Sequence, residues 1–86
     1  MIITYAEIRD WRTHVRDQGA TPDVLIIATK EKSINLAGVE YNLEGINTTK
    51  PIGKIDDLDV WVEKNSEVES ICVADTKYFG LFTIAR

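Results

Sequence analysis

The residues with the means to do chemistry are few and scattered. Gly45-Ile46-Asn47-Thr48-Thr49-Lys50 invites comparison with a phosphate-binding loop, in which backbone N–H groups cradle the phosphates and a hydroxyl after the lysine reaches magnesium. That loop needs a second glycine just before the lysine and a Ser or Thr just after it. Here Thr49 precedes Lys50 and Pro51 follows, so both the cradle and the hydroxyl are missing. Asp56, Asp57 and Asp59 offer oxygens to a hard cation, but the glycine and late bidentate glutamate of a calcium loop are absent; they read as a solvated turn. His14, the one histidine, sits between polar neighbours with Asp10 and Asp17 a turn away, and reads as an exposed helix residue without the positioned partner that acid-base work requires. Cys72, the one cysteine, lies in an apolar run without a neighbouring histidine and reads as a small core residue. Asn47-Thr48-Thr49 matches the N-glycosylation sequence, a frequent chance match. Trp11 and Trp61 are too few for a stacking platform and read as core anchors. No catalytic, cofactor or metal site is expected.

The bulk properties narrow the classes further. The chain has 86 residues, 44% hydrophobic and 28% charged, as for one ordinary globular domain, and a domain of this size hides only about 60 to 65% of its unfolded surface. Contacts with other chains would add to its stability. The formal charge of −4 comes from fourteen acids against ten Lys and Arg. No basic run is present to track a phosphate backbone, so nucleic-acid binding is not expected. The longest apolar run, Val24 to Ala28, is far short of the roughly twenty residues that cross a bilayer, and the start Met1-Ile2-Ile3-Thr4 does not read as a signal peptide. A single cysteine allows no internal disulfide and fits synthesis in a reducing cytoplasm.

The elements that would position these residues follow from pattern. Thr4-Tyr5-Ala6-Glu7 has capping-box spacing, and Ile3 and Ile8 flank it as a hydrophobic staple. Ile8, Trp11 and Val15 recur at helical intervals, and Gly19 supplies a stop. The spacing predicts a helix over Tyr5 to Gln18. After Thr21-Pro22, the run Val24 to Ala28 predicts a central strand covered on both faces. Thr29 is a candidate cap for a short helical turn through Lys30 to Ser33. From Ala37 to Ile55, Gly38, Gly45, Gly53 and Pro51 break up isolated aliphatics, predicting a long loop or irregular hairpin with a possible edge strand at Val39 to Leu43. Three further strands are predicted, at Leu58 to Glu63, Ser70 to Ala74 and Leu81 to Ala85, with turns at Asn65-Ser66 and Asp75-Thr76-Lys77. The sum is a single α+β domain over residues 1–86: one N-terminal amphipathic helix, a sheet of about four strands and a long irregular loop.

That order of elements resembles the major capsid proteins of tailed bacterial and archaeal viruses. The helix ending in glycine and then Thr21-Pro22-Asp23-Val24-Leu25-Ile26-Ile27 is similar to their proline-containing entry into a buried strand. Ile52 to Val62 resembles their glycine turn leading into a strand of valines, and Val68 to Leu81 resembles the strand, small residue, Asp and aromatic-containing turn that follow. The chain departs from the pattern at Ala28-Thr29-Lys30, where the family often has Asn-Pro and a helix carrying an aromatic, and at Asp59, Val68 and Ser70, where proline or glycine is frequent. The resemblance implies the axial domain of the capsid fold shared with encapsulins, which packs around the centre of pentameric and hexameric capsomers. The family's long peripheral helix, extended loop and N-terminal arm have no counterpart, so an excised domain or fragment is expected. Its partners would then be copies of itself, its place the virion capsid after synthesis in the host cytoplasm, and its contact residues Asn47, Thr48, Thr49 and Lys50 in the long loop. The competing expectation, from a different class, is a free-standing small acidic protein-binding module such as a phage-encoded inhibitor.

Overall fold

The structure, a computed structural model, describes residues 1–77 and the backbone of residues 82–84. The chain begins with a two-residue strand, β1 (Ile2–Ile3), and enters helix α1 (Tyr5–Asp17) through Thr4. The Thr4 hydroxyl accepts the Glu7 backbone N–H at 3.2 Å and Glu7 Oε1 accepts the Thr4 N–H at 3.1 Å. This closes the expected capping box, a device typically worth about 1 kcal/mol. Ile3 and Ile8 on either side of it are both fully buried. The helix ends at Asp17, one residue before the predicted end. Gln18 is the C-cap, and Gly19 follows at φ +87°, a conformation glycine enters without the Cβ clash of other residues.

Seven more strands follow: β2 (Val24–Thr29), β3 (Ser33–Leu36), β4 (Val39–Asn42), β5 (Gly53–Ile55), β6 (Leu58–Lys64), β7 (Ser70–Ala74) and β8 (Phe82–Ile84). They form a small sheet in the order β1-β3-β4 and a five-stranded mixed sheet in the order β5-β6-β2-β7-β8. The domain is α+β, as the sequence predicts, with more strands than the four expected. The residues of the predicted fourth strand at its two ends, Leu81 and Ala85, lie outside the described residues, as does the Tyr78-Phe79-Gly80 turn of the capsid resemblance.

β2 occupies the centre of the large sheet, parallel to β6 and antiparallel to β7. Its apolar run therefore makes ladder bonds on both edges. Leu25 and Ile27 point to the same face as Val60 and Val62 of β6 and Val73 and Ile71 of β7, by direct register. These residues form one core with Ile8 and Val15 of α1 and with Ile3, Ile34 and Leu36 of the small sheet, all buried. Helix and small sheet thus cover one face of the large sheet. Truncating a fully buried residue such as Leu25 or Ile71 to alanine costs about 2 to 5 kcal/mol through lost burial and the cavity left behind.

Two stretches differ from expectation. The predicted helical turn at Lys30 to Ser33 is absent: Thr29 is the last residue of β2, its hydroxyl accepts the Glu31 N–H at 3.1 Å, and Ser33 already starts β3. Ile34 and Leu36, spaced by two, are buried together, and that strand period prevails over a segment too poor in apolar residues to fix a helix. Ala37 to Ile55 is also more ordered than a loop. It contains β4, which starts at Val39 as expected and ends one residue short of Leu43, and β5. Ala37 and Gly38 form the two-residue β3–β4 turn with φ of +52° and +86°, the left-handed pair that matches strand twist.

Candidate interaction surface

The carboxylates that resembled a cation site are already bound by the protein. Asp56 and Asp57 make the two-residue turn between β5 and β6, with Asp56 at φ +52°. The Asp56 carboxylate accepts Tyr5 Oη–H at 2.5 Å and Arg12 Nη1–H at 2.8 Å. Arg12 Nη2 lies 3.1 Å from Asp57, and Arg16 Nη2 lies 3.7 Å from it. Asp59 stands on β6, facing Lys54 at 3.7 Å. The cluster fastens the β5–β6 hairpin to α1, with the Arg12 side chain only 11% exposed. The hydrogen bond to Asp56, and then its charge, raise the Tyr5 phenol above its ordinary pKa. His14 is exposed, and its Nε2 lies 2.9 Å from Gln18 Nε2, one turn on.

At the N-terminal end of β2, Asp23 joins three segments. Its N–H donates to Ala74 O and its carbonyl accepts Asp59 N–H, both at 3.0 Å. Its carboxylate takes the Thr76 backbone and hydroxyl. Burial works against the charged form, yet these Thr76 hydrogen bonds outweigh it and hold the Asp23 pKa below its ordinary value. Beside it, Asp75 is buried and accepts the N–H groups of Thr21 at 2.7 Å and Lys77 at 3.0 Å. The predicted Asp75-Thr76-Lys77 turn is thus held by side-chain acceptors.

The second face of the large sheet has a different character. Trp61 of β6, Ile26 of β2 and Cys72 of β7 form one row across it by register, and all three are only half-buried. Two expectations are corrected here. Trp61 is not a core anchor, and Cys72 is not a core residue, because strand alternation turns both away from the face covered by α1. Trp11, in contrast, packs against the core as expected. Burial, partly offset by the Ile26 backbone, raises the Cys72 thiol pKa.

Beside Trp61 the face forms a groove of about 440 Å³, lined by Ile26, Thr48, Trp61, Glu63, Lys64 and Asn65 among others. A recess of about 210 Å³ shares Lys64 and Asn65 with it and adds Lys30 and Lys32. Both lie at the carboxyl ends of the parallel pair β2 and β6. Asn65 there adopts φ +62°, a left-handed conformation that asparagine tolerates better than most residues.

The four contact residues predicted from the sequence, Asn47, Thr48, Thr49 and Lys50, are all exposed. Asn47 Oδ1 accepts the Thr49 N–H at 2.9 Å and the Thr49 hydroxyl at 2.6 Å, which stiffens the loop as an Asx turn. Of the four, Thr48 reaches the groove. The groove residues Ile26, Trp61 and Lys64 were not singled out as contacts; the signal available was the alternation of β6, which places Asp59, Trp61 and Glu63 on one face. Among the described residues, no helix is long and apolar enough to cross a membrane and no group of three metal-ligating side chains converges. Comparison with family models, curated proteins and solved structures returns no match.

Proposed function

We propose that this chain is a self-assembly domain of a shell, of the kind its sequence resembles in tailed-virus capsids, and that it works through contacts between copies. The observation that carries this reading is the asymmetry of the large sheet. One face is sealed by α1 and the small sheet, while the other presents half-buried Ile26, Trp61 and Cys72 beside an exposed, internally braced loop at Asn47 to Lys50. A small domain gains stability when such a face is covered by another chain. In this reading the hairpin fastened by Arg12 keeps the face rigid, and the loop adds polar contacts at its rim. The site of action would be the virion shell.

The test replaces Asn47, Thr48, Thr49 and Lys50 together by a Gly-Ser linker and follows assembly by sedimentation velocity and electron microscopy. The expected result is an unchanged circular dichroism spectrum with weakened association. A wild-type chain that stays monomeric at all concentrations and captures a stoichiometric heterologous partner from a lysate would overturn the proposal in favour of a small acidic binding module.

A further inference from the structure

Resting on the self-assembly reading, we infer that the turn Ser66–Glu69 of one copy seats in the Trp61 groove of a second copy. Val68 is the most exposed large apolar residue among those described, at 72%. It stands at the tip of the β6–β7 connection, where Ser66 Oγ donates to the Val68 carbonyl at 2.8 Å and holds the tip in a turn. Glu67 and Glu69 flank it. An apolar side chain held out by a built turn between two acids is suited to an apolar recess with a basic rim.

The groove has that character. Trp61 and Ile26 supply an apolar wall, and about 440 Å³ accommodates a valine side chain with its backbone. Lys64 lines the groove and Lys30 the adjoining recess, and neither side chain takes part in an ion pair among the described residues. Two neighbouring carboxylates are already engaged: Glu31 with the Met1 amine at 2.8 Å and Glu44 with Lys32 at 3.7 Å. Glu67 likewise forms no ion pair among the described residues. Uncommitted acid on the turn and uncommitted lysines at the groove are complementary between copies. Glu63 on the groove rim carries an opposing charge, so burial of Val68 against Trp61 supplies most of the strength and the lysines set the orientation.

Turn and groove lie at the same end of the large sheet, joined through Asn65. A patch that carries both knob and hole is self-complementary, which is the requirement for a two-fold contact in which each copy gives and receives.

The test is sedimentation velocity on the whole chain across a concentration series at low salt, with Val68→Asp, Glu67→Lys, Lys64→Glu and the Glu67→Lys/Lys64→Glu pair. Val68→Asp should weaken association by roughly tenfold or more, as expected for loss of a central apolar anchor. Each single charge change should weaken it less, and the pair should recover much of that loss. At a dilution where both proteins are monomeric, thermal melting of Val68→Asp should match wild type, because Val68 is exposed and outside the core. Association that persists unchanged in Val68→Asp, or single charge changes without recovery in the pair, would overturn this contact and leave the shell reading in place. A strictly monomeric wild type would overturn both.

Discussion

The Asp23 carboxylate accepts both the backbone N–H and the hydroxyl of Thr76, at 3.0 and 2.5 Å, and so ties the start of the central strand to the segment leaving β7. Because the folded pKa lies below the unfolded one, the sign of the pH dependence is fixed. The stabilisation is present above the ordinary carboxylate pKa and is lost as pH falls through the depressed folded value. Asp23→Asn should lower stability by about 1 kcal/mol at neutral pH and flatten the acid limb of a stability-against-pH curve from chemical denaturation. An acid limb identical to wild type would show that Asp23 does not contribute.

Arg12 reaches from α1 to both turn aspartates with its side chain nearly enclosed. Arg12→Ala should cost about 1 to 2 kcal/mol, discounted because Asp56 and Asp57 remain in contact with water. Arg12→Lys should recover only part of this, since an ammonium cannot serve two carboxylates in the forked geometry of a guanidinium. Urea titrations of the three proteins check the order.

Gly53 lies beside the hydroxyl end of the Tyr41 side chain. A Cβ built there meets the phenol oxygen at 3.3 Å, while the nearest ring carbon is 3.8 Å away. Gly53→Ala should destabilise by about 1 kcal/mol, at the low end of overpacking because a side-chain tip can give. Tyr41→Phe removes the close atom, so the double variant should lose less than the sum of the two single changes. Strict additivity in thermal melts would mean that the hydroxyl is not what crowds the site.

Ala37 holds φ +52° ahead of Gly38, a conformation that asparagine adopts at lower cost than alanine. Ala37→Asn should raise stability by about 0.5 kcal/mol, read as a higher melting temperature. A lower melting temperature would show that the methyl group's packing against the core outweighs the strain of its backbone.

Cys72 is half-buried on the open sheet face with its thiol pKa raised by burial. Reaction with a disulfide reagent should be slower than that of a free thiol at neutral pH and should accelerate above the ordinary thiol pKa, because the thiolate is the reactive form. A thiol that reacts at the free rate at neutral pH would contradict this account.

The parts of the fold legible in the sequence were those specified locally. Thr4 with Glu7 and Ile3 with Ile8, each pair close in sequence, mark the start of α1 and Gly19 marks its end, and the run Val24 to Ala28 announces a strand by composition alone. β3 was not legible because Ser33-Ile34-Asn35-Leu36 has only two apolar residues, and its pairing with β1 depends on where the chain start lies in space. The orientation of Trp61 and Cys72 depends on which sheet face the helix covers, a tertiary choice that alternation alone leaves open. The groove was hidden for the same reason: Thr48, Trp61 and Lys64 are separated in sequence and meet only after β6 pairs with β2.

The position of β2 between β6 and β7 bears on how the chain reaches its native state. Both neighbours of β2 follow it by more than a third of the chain. As the polypeptide emerges during synthesis, the most apolar strand must therefore wait with both edges unpaired. Loop closure of this length precedes any reward from ladder bonds, so folding should be slow for a domain of this size. The helix with its strong cap forms early and offers Ile8 and Val15 as a temporary cover for that strand.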